Sequence, residues 1–295
     1  MKSFEQIDRI VIAGVGLIGG SLGLALKRAR FHGRIVGLGR RWSSLKNAID
    51  AGAVDSATLD YEEALKDAEL LVICTPVDVM PSIVEKSVKH LPEGSVLTDV
   101  GSTKGQLVAE MEKLVPDGIH FVGAHPMAGF HKTGVSAADA ALFDGSVCIL
   151  TPTESTDPGA ADLVSELWKR MGARVETMSP QDHDFLIAAA SHLPHAAACA
   201  LIQVVAGVQN ERGKAIDFTA TGFADATRIA AGDPKVWKGI FLHNADMVSS
   251  MLEKLEKELA DIRKVLDDRD EQKLMEKLER AKRIRDSRRS AQKRD

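Results

Sequence analysis

The segment "RIVIAGVGLIGGSLG", residues 9–23, constrains the fold more than any other part of the chain. A β-branched run ends in a glycine-rich turn and passes into helical spacing. Gly14, Gly16 and Gly19 stand in the G-x-G-x-x-G pattern. Gly14 suits a tight turn, Gly16 lets the backbone approach a pyrophosphate, and Gly19 lets helix and strand pack closely. The helix start at Leu17 and Ile18 offers unpaired N–H groups and a positive dipole end to phosphate. Pattern, preceding strand and following helix agree, so the segment predicts dinucleotide binding.

The alternation continues. "RIVGLG", "LLVICTP", "SVLTDVG", "HFVGAHP", "VCILTP" and "RVETMSP" read as further strands, with helical stretches such as 17–30 and 79–90 between them. Strands alternating with helices of this length predict an α/β fold: a Rossmann-like, mostly parallel sheet with helices on both faces. After Pro180 the pattern changes and no strand is expected. "HDFLIAAASHLPHAAACALIQVVAGV" reads as a long apolar helix interrupted by Pro194. Such a helix needs cover on most sides, which a small helical domain lacks alone, so a second copy of the chain is the expected partner. The expected division is a dinucleotide-binding domain over 1–178 and an all-helical dimerisation and substrate domain over 179–295. The chain from about Leu252 reads as a solvated helix. Its basic end, "RAKRIRDSRRSAQKR", is better explained as a solvated terminus than as a nucleic-acid site.

Composition limits the alternatives. The chain has 295 residues and a formal net charge of -4, which gives no general attraction to nucleic acid or anionic membranes. Cys74, Cys148 and Cys199 are odd in number, far apart and set in apolar segments, which fits small buried residues in a reducing compartment. No signal-peptide pattern and no apolar run of membrane length is read, so a cytoplasmic location is expected.

The acid that would hold an adenosine ribose diol belongs near the end of the second strand. Gly39 stands there, followed by Arg40 and Arg41. Glycine leaves room for a 2′-phosphate and the guanidinium groups match its charge, which favours NADP. One arginine stacking on the adenine would instead leave NAD equally acceptable.

Ligands of an open parallel sheet lie beyond the C-terminal strand ends. Thr75, Pro76, Asp99, Ser102, Thr103, Lys104 and His125 fall there. Thr75 and Pro76 suit the cofactor wall or a simple strand stop, and Ser102 can cap the next helix. His125, at a strand end among small residues, is the candidate general base, because neutral imidazole can take the proton of an alcohol whose hydride leaves. His192 and His195 in "SHLPH" share a helix face. They suit a polar patch lining the site better than a metal pair, and no metal is expected. Arg228 is either a carboxylate clamp or a structural partner of Asp225.

Together, "GVGLIGGSLG", "ICTPV", "TDVGSTKG", "GAHPMAG", "ILTPTESTDP", "HDFLIAAASHLPH" and "TRIAAGDPKVW" resemble, in this order, the prephenate and arogenate dehydrogenases of tyrosine biosynthesis. The resemblance implies oxidative decarboxylation of prephenate or arogenate with NADP or NAD, in a homodimer joined by its helical domains. It implies His125 as base and Ser102 hydrogen-bonding at the same substrate hydroxyl. It implies Arg228 on the side-chain carboxylate, with His192, His195 and Trp237 in the pocket. Where many relatives read Thr-Glu-Lys-Ser-Gly after "HPMAG", this chain reads "FHKTG", so His131 replaces a carboxylate at the pocket mouth. Two rivals share parts of the pattern. A two-domain β-hydroxyacid dehydrogenase typically relies on a lysine of its helical domain, and a cofactor sensor would bind NADP without turnover.

Overall fold

The structure, a computed structural model, describes residues 1–128 and 134–291. It divides into two compact units, 1–247 and 248–295.

In the first unit, β1 (Arg9–Ala13), α1 (Leu17–Arg28), β2 (Arg34–Leu38), α2 (Trp42–Asp50), β3 (Ser56–Thr58), α3 (Tyr61–Leu65), β4 (Leu70–Ile73), α4 (Met80–Ser87), β5 (Val96–Asp99), α5 (Gly105–Leu114) and β6 (His120–Val122) alternate along the chain. The six strands form one parallel sheet in the order β3-β2-β1-β4-β5-β6. Alternate strand residues serve opposite faces. Ile10 and Ile12 enter one buried cluster with Leu22, Leu26 and Trp168, whereas Val11 and Ala13 enter another with Leu71, Leu97 and Met111. Burial on both faces explains why these strands read as unbroken apolar runs rather than as alternating ones.

β3 carries no strong apolar signal, and the sequence reading misses it. "HFVGAHP" is two strands rather than one. β6 ends at Val122, and β7 (Ala124–Pro126) leaves the parallel sheet to pair antiparallel with β8 (Val147–Leu150). Gly123 permits the break, since a Cβ there would lie 2.5 Å from Thr151 Oγ1 and 2.8 Å from Val108 Cγ2. After α6 (Pro158–Arg170), β9 (Arg174–Thr177) pairs parallel to β8 and completes a three-stranded sheet.

Helices follow. Ser179 caps α7 (Pro180–Ile187) by accepting from the Asp182 N–H. A π turn (Ala188–His192) joins α7 to α8 (Leu193–Gly207). Pro194 therefore does not interrupt the helix as the sequence suggests. The Leu193 N–H reaches back five residues to the Ala188 carbonyl, and this wider bonding accommodates a ring that has no donor. The expectation that no apolar run reaches membrane length is also corrected. The joined helix, Pro180–Gly207, has 28 residues and a mean hydropathy of 1.6 over its most apolar stretch, enough by length and composition to cross a bilayer. The expectation of no strand beyond Pro180 fails at a small hairpin of β10 (Gln209–Asn210) and β11 (Gly213–Lys214). α9 (Thr221–Thr227), a 3-10 turn (Arg228–Ala231) and α10 (Pro234–His243) follow.

α11 (Ala245–Asp267) runs into the second unit and a turn with Arg269 at φ 50 leads to α12 (Glu271–Ala291). Within that unit Lys277 pairs with Glu258 at 3.6 Å.

Candidate active site

The glycine turn has the shape that a dinucleotide requires. Gly14 sits at φ +94, and a Cβ there would meet Thr75 Cγ2 at 2.7 Å and the Cys74 carbonyl at 2.8 Å. At Gly19 a Cβ would strike the Gly14 carbonyl, so this helix start packs directly on the strand end. Gly16, by contrast, faces open space. It is the N-cap of α1, whose first N–H groups, at Leu17 and Ile18, have no intrahelical acceptors. Thr75 Oγ1 is buried beside this turn without a hydrogen-bond partner among the described residues, and Pro76 is exposed. Gly39 follows β2 and packs against Leu45, while Arg40 and Arg41 are exposed, Arg41 at the N-cap of α2. These residues fit a nucleotide: an open glycine approach, a helix N-terminus and an orphaned hydroxyl.

His125 lies on β7, opposite Ile149, and retains 8% exposure. Its Nδ1 lies 2.8 Å from Nε2 of His183, and Nδ1 of His183 lies 2.8 Å from Oδ1 of Asp184. The carboxylate is itself fixed. Oδ1 accepts from the Lys104 N–H and Oδ2 from the Gly105 N–H, both at 2.7 Å. Asp184 thus caps α5 from another element. Ser102, the expected cap, is half-buried and makes no side-chain hydrogen bond among the described residues.

A buried ion pair backs this group. Lys104, fully buried, binds Asp99 at the end of β5. Asp99 also accepts from the Gly101 N–H at 2.7 Å and the Ala124 N–H at 3.1 Å, which ties the β5–α5 loop to the strand carrying His125. Burial holds the His125 imidazole well below its ordinary pKa, and His183, Lys104 and His192 push it the same way. Burial lowers His183 too, but there Asp184 opposes the shift.

The remaining histidines continue the wall. Asn244 donates to the Asp184 carbonyl at 2.9 Å and approaches His192 Nδ1 at 3.3 Å. Burial brings His192 down to about 4, with Asp184 acting against the shift. The backbone of Ser102 also meets this ring. His195 is buried, its Nδ1 has no hydrogen-bond partner among the described residues, and its ring stacks on Trp237 of α10. Trp237 also meets His192 edge to face at 6.2 Å.

The structure therefore joins His125, His192, His195 and Trp237 through His183, Asp184 and Asn244. Arg228 opens the 3-10 turn packed on α8, but its guanidinium is exposed and makes no hydrogen bond or ion pair among the described residues, including none with Asp225. His131 lies outside the described residues. No group of three metal-ligating side chains occurs among the described residues. The sequence reading missed His183, Asp184 and Asn244. The one signal for the first two is the adjacent His-Asp pair in "QDHDFL", directly after a helix-capping serine and proline.

A model for the prephenate dehydrogenase nucleotide-binding domain matches residues 22–177, and one for the prephenate dehydrogenase dimerization domain matches residues 179–280. The chain is 34% identical to a prephenate dehydrogenase of Bacillus subtilis over 96% of its own length and 76% of the relative's. It is 31% identical to a cyclohexadienyl dehydrogenase of Zymomonas mobilis over 94% of both chains. A crystal structure of prephenate dehydrogenase from A. aeolicus, in complex with hydroxyphenyl propionate and NAD+, superposes with a TM-score of 0.90 at 35% identity, covering 95% of this chain and 98% of the other.

Proposed function

The chain belongs to the prephenate dehydrogenase family, and on that premise we propose that it oxidatively decarboxylates prephenate, arogenate or both. NAD(P)+ held at the Gly14–Gly19 turn supplies the hydride acceptor. His125 accepts the proton of the ring hydroxyl as the C–H bond at that carbon gives up its hydride. The ketone that forms is conjugated to the carbon bearing the carboxylate, CO₂ leaves, and the ring becomes aromatic. Aromatisation drives the reaction, so the protein supplies orientation and one neutral base.

The observation that carries this reading is the state of His125. Its Nδ1 is engaged by His183, its Nε2 has no hydrogen bond among the described residues, and burial keeps the ring neutral. Arg228, exposed and without an ion pair among the described residues, clamps a substrate carboxylate. Ser102 serves the substrate hydroxyl, and His192, His195 and Trp237 wall the ring. The absence of a carboxylate side chain at Gly39 and the exposed Arg40 and Arg41 support a preference for NADP. Phe185, Leu186, Leu201 and Val204, exposed along the helix from Pro180, support a homodimer through a domain covering 179–295.

Following NAD(P)H absorbance with prephenate and with arogenate tests the reading. Turnover of at least one is expected, and its collapse by about 10²–10⁴-fold in His125→Asn with cofactor binding retained. No turnover of either, or full turnover by the variant, rejects it. Light scattering should report a dimer at micromolar concentration.

A further inference from the structure

The mechanism above uses one nitrogen of His125. The other is bound to a second histidine, and that histidine to a carboxylate. The direction of each hydrogen bond follows from the fixed end. Both oxygens of Asp184 accept backbone N–H groups at the start of α5, where the helix end also favours negative charge. Asp184 is therefore an ionised acceptor, and the third bond, from His183, places a proton on His183 Nδ1. A neutral His183 then has a bare Nε2, which can only accept. His125 must donate to it from Nδ1. One tautomer of His125 remains: proton on Nδ1, lone pair on Nε2.

We propose that His183, held by Asp184, sets the tautomer of His125 and takes up the displaced Nδ1 proton during turnover. This rests on His125 being the base. As the substrate O–H breaks, its proton forms a bond to His125 Nε2. The Nδ1–H bond of His125 breaks, and that proton bonds to His183 Nε2. His125 ends neutral with its proton on Nε2, and the positive charge resides on His183 against the Asp184 carboxylate. After product leaves, His125 loses the Nε2 proton to solvent and His183 returns the other to Nδ1. No electrons move in these transfers, and the resting state is restored.

The surroundings favour this placement of charge. The groups facing the two rings are Lys104, Asp99, His192 and Asp184. Lys104 and His192 oppose a cation on His125, and among the described residues no carboxylate is hydrogen-bonded to that ring. Lys104 opposes a cation on His183 as well, but there Asp184 and Asp99 favour it. Asp184 touches His183 directly. Gly105 keeps the carboxylate in place, since a Cβ there would lie 2.9 Å from Asp184 Oδ2. His183 is a positioning residue, because it acts through His125.

Nitrogen-15 NMR of histidine-labelled protein tests the tautomer without turnover. In the unmutated, ligand-free protein at neutral pH, His125 is expected with Nδ1 protonated and Nε2 bare. The opposite tautomer overturns the proposal, whether or not His125 proves to be the base. In His183→Leu the acceptor is gone, so both tautomers should appear. The kcat should fall about 10- to 100-fold, a part of what a general base contributes, with KM changed less than threefold. In His183→Gln the side-chain carbonyl can still accept, so the Nδ1–H tautomer should return while kcat recovers only in part, because an amide cannot take the proton. Full recovery of kcat by glutamine would remove the proton-uptake step. An unchanged kcat in His183→Leu would reduce His183 to a packing residue.

Discussion

His195 and Trp237 stack face to face, their ring centroids 3.5 Å apart and their planes 13° from parallel. Gly232 makes the stack possible, because a Cβ there would strike the indole nitrogen. The pair presents a flat wall beside His192, suited to a six-membered ring. An aromatic pair contributes about 0.5–1.5 kcal/mol beyond its buried area. Trp237→Leu should therefore raise KM for the cyclohexadienyl substrate up to about tenfold, with cofactor affinity unchanged. Steady-state kinetics check it, and an unaltered KM would separate the wall from the substrate.

The Lys104–Asp99 pair is fully buried, and Asp99 keeps two backbone N–H groups as well. Lys104→Met leaves the carboxylate charged and short of its cation. Breaking a buried pair on one side costs about 3–5 kcal/mol. Urea unfolding should show a loss of that order. A loss under about 1 kcal/mol would mean that solvent reaches Asp99 in the variant.

Stability should fall in mild acid. The His125, His183, His192 and His195 rings all have pKa values lowered by folding, chiefly through burial. Each is kept neutral in the fold but binds a proton in the unfolded chain below about 6.5. The unfolded state thus holds more protons, and stability is lost as pH falls from about 6.5 toward the folded pKa values. For His192, brought to about 4, the full contribution is on the order of 3 kcal/mol. The urea midpoint should drop between about pH 6.5 and 4, and His192→Asn should flatten the slope. A pH-independent midpoint would contradict the buried, neutral state.

Arg40 and Arg41 lie exposed after Gly39. Charge-assisted contacts to a phosphate contribute about 1.5–3 kcal/mol, less where solvent screens them. Replacing both by alanine should weaken NADP at least tenfold while changing NAD little. Titration of cofactor fluorescence measures this, and a better kcat/KM with NAD in the unmutated enzyme would refute the preference.

The α/β class and the glycine turn were legible because they are local. Gly14, Gly16 and Gly19 sit within six residues, and each has the backbone setting that the motif demands. His125, His192, His195 and Trp237 were singled out through motif context; the structure packs His192 and His195 on Trp237 and ties His125 to His183. Other features were less so. β3 is three residues long, and its pairing with β2 decides what its composition cannot. Pro194 reads as a break because no local rule anticipates a π turn ahead of it.

The chain's own order of residues determined the parallel sheet and the glycine turn, since propensity, periodicity and glycine spacing act over a few neighbours; the histidine read at a strand end instead sits in the middle of β7, on a separate antiparallel pair. Only the tertiary structure decided what stands behind that histidine. His183 lies 58 positions from His125 along the chain, and Asp184 lies 79 from Gly105. Nothing in the spacing of "GAHPMAG" and "QDHDFL" says that the two rings meet. They meet because Gly123 turns β7 out of the main sheet and because the start of α5 needs an acceptor that its own cap does not provide. A helix end short of an acceptor draws in the carboxylate, the carboxylate orients one imidazole, and that imidazole orients the next.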